Sequence, residues 1–161
     1  MARNDIKPYL PEQVVASSIS FKTEANSSAI VVGEPLKIGG TGNNFVVLLG
    51  DGEPEISADV VVGIAASDSN HTASLNGDIQ VYLPLPGVVF SGKATTPANV
   101  DTAAELTAIL NDRVTFDLSG GVYTVDENEG DNSDHGLRIV GGNISTGNIY
   151  FVFRQSGVFT N

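Results

Sequence analysis

Cysteine and tryptophan are absent from this chain of 161 residues, and methionine occurs once. The absence of cysteine excludes thiol catalysis, cysteine-rich zinc sites and a disulfide scaffold. Positive charge is also scarce, since 8 Lys and Arg residues stand against 19 Asp and Glu residues, for a formal charge of -11. Nucleic-acid binding needs clustered Lys and Arg. The composition therefore argues against a nucleic-acid partner and predicts an acidic protein with one compact domain.

Long apolar runs are missing as well. Those present, such as residues 60–66, are far shorter than the roughly 20 residues that cross a bilayer. The N-terminal stretch 1–13 contains charged residues of both signs and lacks the apolar core of a secretion signal. We therefore expect no membrane partner.

Branched side chains and turn formers dominate what is present. Val, Ile and Thr number 19, 11 and 11, and their stiff side chains suit a pleated sheet. The 18 Gly and 7 Pro residues fall mostly between the apolar runs, where they supply turns. The runs predicted as strands are 29–32, 36–38, 45–49, 60–66, 79–83, 88–94, 113–118, 122–125, 136–140 and 148–154. Many short strands with little helix predict an all-β fold, either a small barrel or a sandwich.

One segment breaks the strand pattern. Thr102 and Glu105 have the spacing of a capping box, in which each side chain bonds the backbone amide of the other residue. The apolar residues that follow recur at three- and four-residue spacing and share one helical face. The pattern predicts a short helix over 103–111 that covers one end of the β body.

The N-terminal part of the chain differs from the rest. Neither a helical nor a strict two-residue period runs through its first 13 residues, and two prolines bias their predecessors toward extended geometry. The sequence therefore predicts an extended arm over 1–28, followed by a single β-rich domain over 29–161.

Apolar residues on a free arm would leave apolar surface in water. Ile6, Tyr9 and Leu10 lie in the arm with Pro8 and Pro11 around them, which indicates a segment that becomes ordered on another molecule. We predict that these five residues form a binding arm. A frayed terminus without a role is the alternative.

Residues 126–134 form the densest polar cluster. A calcium-binding EF-hand alternates oxygen ligands with a glycine at the sixth position. Asp126 and Asn128 match the first and third positions, but Gly130 stands at the fifth and Asp131 at the sixth. We therefore interpret the cluster as a solvated acidic loop that is held open by the repulsion between its own carboxylates.

Signatures of catalysis are missing. His71 and His135 stand in polar loops without metal-ligand spacing to one another. Neither a Gly-x-Ser-x-Gly elbow nor a phosphate-binding glycine loop with its lysine is present. We expect no enzymatic activity, no metal and no cofactor.

The richest aromatic patch lies near the C-terminus, in 148–154. Strand alternation places Phe151 and Phe153 on one face and Tyr150 on the other. A strand that is apolar on both faces is covered twice, and we predict Tyr150, Phe151 and Phe153 as a candidate subunit interface. A central strand with both faces covered inside one subunit is the alternative.

Four stretches share a rhythm of short strands and turns containing Gly or Pro. They are Glu-Pro-Leu-Lys at 34–37 with the Gly-rich turn behind it, and the stretches 62–68, 76–87 and 90–102. This pattern, spread over 33–153, resembles the head decoration, or cement, proteins of tailed bacteriophages.

The resemblance implies a small β-barrel or β-tulip-like sandwich that binds the outer surface of a phage head. It implies a homotrimer, made in the host cytoplasm, that attaches to the major capsid protein and stabilises the virion against the pressure of packaged DNA. It also implies that the N-terminal arm lies on the capsid lattice. Deletion of 1–13 is then expected to abolish attachment and to leave thermal stability nearly unchanged. A phage adhesin, or a glycan- or receptor-binding β-module, is the alternative function.

Overall fold

The structure is a computed structural model that describes residues 6–9 and 18–154. Strands make up 42% of it and helical residues 9%, arranged as three sheets and one short α-helix. The predicted all-β fold class is confirmed. None of the helices in residues 6–9 and 18–154 combines the length and the hydropathy that a membrane-spanning helix needs.

Twelve strands lie within the described residues. In chain order they are β1 Lys7–Pro8, β2 Ser18–Thr23, β3 Pro35–Gly39, β4 Phe45–Leu48, β5 Val61–Ala65, β6 Gly77–Tyr82, β7 Phe90–Lys93, β8 Arg113–Val114, β9 Phe116–Ser119, β10 Val122–Val125, β11 Leu137–Asn143 and β12 Asn148–Phe153. The helix α1 spans Ala103–Ala108, between β7 and β8.

Sheet I is antiparallel, with five strands in the order β2-β6-β5-β3-β4. Leu36, Val62, Ile79 and Val81 point to one side of it and form a core that is almost inaccessible to water. The edge strands β2 and β4 approach each other, so the sheet curls toward a barrel.

Sheet II is also antiparallel, with five strands in the order β1-β7-β12-β11-β8, and the hairpin β9–β10 forms sheet III. Phe90, Phe116 and Phe151 are fully buried in the core of this half of the molecule. The rings of Phe116 and Phe151 meet edge to face, with centroids 5.5 Å apart. Such aromatic packing supplies much of the apolar area that stabilises a core.

The segment between β4 and β5 connects the two halves. Its Glu53 forms a β-bridge with Phe116, and its Glu55 forms one with His135. Lys37 of sheet I donates to the Glu53 carboxylate at 2.6 Å and to the Asp59 carboxylate at 2.9 Å. This ion-paired lysine therefore fixes the connecting segment to sheet I.

Helix α1 begins at the predicted capping box. The Glu105 amide donates to Thr102 Oγ1 at 3.3 Å, and the Thr102 amide donates to Glu105 Oε2 at 3.1 Å. The helix ends at Ala108, before the predicted end at 111, because Ile109 has ψ 0° and Asn111 has φ 74°. Ile109 packs against the core of sheets II and III.

Part of the segment predicted as an arm is a strand of the body. Residues 18–23 form β2 and pair with β6 along their whole length. The sequence Ser-Ile-Ser-Phe-Lys-Thr alternates apolar and polar residues, as a half-buried strand does. The β body therefore begins ahead of residue 29 in the structure.

Two predicted strands differ from the structure for a common reason. Residues 29–32 form no ladder, because the Val31 and Val32 amides donate to the Glu34 and Asp68 carboxylates, each at 2.8 Å. The predicted strand 113–118 divides into β8 and β9 at Thr115, whose amide donates to Glu129 Oε2 at 3.1 Å. In both places a side-chain carboxylate takes the amide that a neighbouring strand would have used.

Candidate docking groove on sheet II

The predicted binding arm is an edge strand of sheet II where the structure describes it. Ile6 is 3% exposed and belongs to the core, and Pro8 is buried in β1. Tyr9 remains 38% exposed. Leu10 and Pro11 lie outside the described residues. Ile6 thus packs into its own subunit instead of standing free for a partner, because β1 pairs with β7.

The C-terminal aromatic residues lie on β12, a central strand of sheet II. Phe151 is fully buried, and Phe153 packs against the same core. Tyr150 points to the opposite face, which we call the outer face of sheet II. The predicted alternation therefore holds, and the inward pair is covered by the core of its own subunit. Burial of this one face does not decide between a subunit interface and a strand covered on both faces inside one subunit. Tyr150 is the member of the trio on the outer face.

Tyr9 and Tyr150 are brought together across the sheet. Their rings stack with centroids 4.1 Å apart and planes inclined by 30°. Partial burial raises the pKa of Tyr150, and a hydrogen bond shared with the Tyr9 side chain raises it further. One residue of the predicted arm and one of the predicted interface therefore form a single aromatic pair.

This pair lies in a groove of about 600 Å³ between the outer face of sheet II and helix α1. We call it the Tyr9–Tyr150 groove. Its lining residues are Tyr9, Ala103, Leu106, Thr107, Leu110, Val140, Gly141, Gly142, Asn143, Ile144 and Tyr150. The helix, the β11–β12 hairpin and the residue that follows β1 therefore all contribute to it.

Exposed apolar side chains are concentrated in this groove. Eight large apolar side chains of the described residues are exposed: Tyr9, Ile19, Ile56, Val60, Leu75, Leu110, Val140 and Ile144. Tyr9, Leu110, Val140 and Ile144 line the groove, and the other four do not. Clustered exposed apolar residues, unlike scattered ones, mark interaction surfaces.

The groove owes its shape to a β-bulge and a glycine. The register of β11 against β12 shifts between Ile139 and Gly141, so Val140 is the extra residue of a bulge. A Cβ atom on Gly142 would lie 2.9 Å from Leu106 Cδ1. The glycine therefore lets α1 approach the hairpin closely, and the bulge leaves Val140 at the groove wall.

The acidic loop 126–134 is held against the body, which corrects the interpretation that repulsion keeps it open. Glu127 accepts from the Thr95 and Thr96 amides, each at 2.9 Å. Asp131 accepts from Arg113 Nε at 2.6 Å, and Asp134 accepts from the Ser57 amide at 2.9 Å. These carboxylates therefore accept hydrogen bonds from backbone amides and from Arg113, and these bonds hold the loop in place.

Acidification is expected to release this loop. The hydrogen bonds from Arg113 hold the pKa of Asp131 well below its usual range. A lowered folded-state pKa stabilises the contact above the unfolded value near pH 4, and that contribution disappears as the pH falls toward the folded pKa. We expect the Arg113 Nε resonance to shift below pH 4 in an NMR titration, and Asp131→Asn to remove the titration. A resonance that titrates identically in both proteins would contradict the assignment.

The two histidines have structural partners. His135 is buried, with Nδ1 2.9 Å from the Arg113 carbonyl and Nε2 3.4 Å from Glu129 Oε1. His71 Nε2 lies 3.1 Å from the Ser27 carbonyl. Among residues 6–9 and 18–154, no group of three or more His, Asp and Glu side chains is arranged to hold a metal ion.

Sequence reasoning missed most of the groove. The apolar face predicted for the helix over 103–111 contributes Leu106, in α1, and Leu110, which lies just beyond the end of α1. The two glycines after Val140 were a signal for a bulge or a close backbone approach, since glycine inside a strand pattern has that meaning. Ile144 carried no signal of its own.

Comparisons with known proteins give no match for this chain, whether with family models, curated proteins or solved structures.

Proposed function

We propose that this protein is a capsid decoration, or cement, protein of a tailed bacteriophage. It binds the outer surface of the head as a homotrimer, contacts the major capsid protein and stabilises the shell against internal DNA pressure. It acts through binding surfaces instead of a catalytic centre. Its place is the virion, after synthesis in the host cytoplasm.

The observation that carries the proposal is the Tyr9–Tyr150 groove. Four of the eight exposed large apolar side chains of the described residues line it, and such a patch on a folded domain marks an interaction surface. Most of its lining belongs to α1, β11 and β12, whereas Tyr9, Leu110 and Ile144 lie just beyond the ends of β1, α1 and β11. Much of the groove is therefore preformed, and little entropy is lost when a partner binds.

Mechanically, a cement protein adds binding free energy that any separation of capsid subunits must overcome. A trimer offers three copies of the groove. After the first copy binds, the others bind at a high effective concentration, which raises the avidity. The net charge of -11 keeps decorated particles soluble and apart.

The decisive test is binding to expanded, DNA-free heads of the phage that encodes the chain. We expect the wild-type protein to co-sediment with heads at a fixed stoichiometry. The double variant Ile144→Ser/Leu110→Ser is expected to bind about 10-fold more weakly or worse, because each lost apolar contact contributes about 1 kcal/mol or more.

The matched control is Leu75→Ser/Ile56→Ser. These side chains are 67% and 39% exposed and lie outside the groove, so this variant should bind heads like the wild type. Thermal melting of both variants checks that the fold is kept. Equal binding by the two variants, or no binding of the wild type, would overturn the proposal.

The trimer is tested separately by size-exclusion chromatography with light scattering. We expect three chains per particle in solution. A monomer that binds heads singly would remove the trimer from the proposal and leave the attachment surface in place.

An adhesin or glycan-binding module is the second candidate, because aromatic rings next to polar groups are suited to sugar rings. Tyr9 and Tyr150 lie beside Asn143 and Thr107 in the groove. A rise in melting temperature with a glycan, together with no binding to heads, would favour this candidate.

A further inference from the structure

The charges of this acidic chain are distributed unevenly over its sheets. None of the acidic residues that the structure describes lies in the five strands of sheet II. Those strands carry Lys7, Lys93, Arg113 and Arg138. Sheet II is therefore a cationic surface in a protein whose net charge is -11.

Among the residues that the structure describes, three of these cations have no carboxylate partner. Arg113 pairs with Asp131 at 2.5 Å. No ion pair within the described part of the chain involves Lys7, Lys93 or Arg138. Lys93 donates instead to the Thr146 carbonyl. Basic side chains that stay unpaired in a chain rich in carboxylates are available to an external anion.

All three unpaired cations lie on the outer face, around the Tyr9–Tyr150 groove. Lys7 is paired with Ser91, and Ser91 is paired with Tyr150, so the lysine lies two strands from the tyrosine on the same face. Lys93 follows Ser91 by two residues in β7 and therefore shares its face.

Arg138 completes the arrangement on the other side of the tyrosine. It is paired with Val152 of β12, two residues beyond Tyr150. It also precedes the groove residue Val140 by two positions in β11. Cations thus lie on at least two sides of the apolar groove.

We infer that the groove binds an acidic protein segment, one in which carboxylates flank an apolar side chain. This inference rests on the proposed function and specifies the chemistry of the capsid segment that would be bound. The apolar side chain fills the groove, and the carboxylates reach Lys7, Lys93 and Arg138. A protein segment fits better than nucleic acid, because the cations are spread around an apolar surface instead of being clustered.

Long-range and contact electrostatic interactions have opposite effects on the binding of an acidic partner. The net charge of -11 repels an acidic partner at long range, whereas the three cations attract it at contact. At 0.15 M salt the Debye length is about 8 Å, so distant charges are largely screened and contact pairs are not. Binding is therefore measured at this salt concentration.

The test uses a fluorescein-labelled peptide with paired acidic residues on both sides of a phenylalanine–leucine pair. A second peptide has the corresponding amides in place of the acids. By fluorescence anisotropy with the full chain, we expect the acidic peptide to bind at least about 10-fold more tightly, as contact charge pairs at interfaces do. Equal binding of the two peptides, or no binding of either, would overturn the inference.

Two charge-reversal variants separate the local effect from the change in net charge. Arg138→Glu should weaken binding of the acidic peptide at least about 10-fold. Lys22→Glu changes the net charge equally, but Lys22 lies on sheet I and is paired with Asp78. Its effect should stay below about 2-fold, since distant charges are screened. Equal losses in the two variants would contradict a local site.

Three further outcomes test the inference and distinguish it from the proposed function. A duplex oligonucleotide that binds more tightly than the acidic peptide, with the same dependence on Arg138, would overturn the inference. Heads that bind the wild type and Arg138→Glu equally would also overturn it, while the proposed function stands. Tight binding of the acidic peptide without any binding to heads would support the inference and remove the proposed function.

Discussion

Deletion of residues 1–13 is expected to lower the free energy of unfolding by about 4 kcal/mol. The deletion removes Ile6, which is 3% exposed and packs in the core of sheets II and III, and loss of a buried isoleucine side chain costs about 2 to 5 kcal/mol. It also removes the β1–β7 pairing and the hydrogen bond from the Tyr9 amide to the Val89 carbonyl at 2.7 Å. This expectation replaces the nearly unchanged stability that the sequence alone predicted.

Urea denaturation of the truncated and full chains measures the loss. Ile6→Ala in the full chain should account for about 2 to 4 kcal/mol of it. Lys7→Ala is the matched control, because Lys7 is an exposed residue of the same strand and should change the stability by less than about 0.5 kcal/mol. A truncated chain with wild-type stability would show that β1 is not part of the folded body.

The stability lost on truncation affects the interpretation of head-binding experiments with the truncated chain. A chain without residues 1–13 loses stability and attachment surface together, so weaker binding does not by itself identify an arm. Tyr9→Ser separates the two effects. Tyr9 is 38% exposed in the groove, and its loss removes binding surface with a smaller effect on the core.

The N-terminal segment shows where sequence patterns mislead. Pro8 indicated an extended arm, yet β1 is an edge strand, where a proline without an N–H is tolerated. Ile6 looked like an exposed anchor because no periodic partner accompanied it, and its burial depends on pairing with β7, more than 80 positions along the chain. Long-range pairing of this kind has no local signature.

Signals between residues close in sequence predicted the structure better than the N-terminal pattern did. The capping box placed the start of α1 correctly, because both of its partners lie within four residues of sequence. Alternation placed Tyr150 and Phe151 on opposite faces of β12. The groove itself required three distant segments to meet, and the sequence named Tyr9 and Tyr150 without indicating that they touch.

The acidic loop shows another limit of prediction from sequence, which indicated carboxylates that repel one another. Composition indicated mutual repulsion, but Glu127 and Glu129 each accept backbone amides from another part of the chain. A count of charges gives net repulsion and says nothing about which amide lacks a partner. That information depends on the tertiary fold.

Replacing Lys37 with methionine is expected to cost about 3 kcal/mol of stability. Partial burial opposes the charge of Lys37, but hydrogen bonds to Glu53 and Asp59 outweigh burial and raise its pKa. The Asp59 side chain is only 5% exposed, and removing one partner from a buried ion pair costs about 3 to 5 kcal/mol. We expect the lower end of this range, because the Glu55 amide still donates to the Asp59 carboxylate at 2.9 Å. Loss of the lysine also removes the two side-chain contacts that fix the connecting segment to sheet I.

Lys22→Met is the matched control for this variant, because the Lys22–Asp78 pair is exposed, with 64% and 47% of the side chains accessible. Exposed pairs contribute at most about 1 kcal/mol, so urea denaturation should separate the two lysines clearly. Lys37→Met/Asp59→Asn should recover part of the loss, since the amide carries no charge. If the two lysine variants were equally stable, the Lys37 pair would contribute no more than a surface contact, and the two halves would be joined by backbone bridges and apolar packing alone.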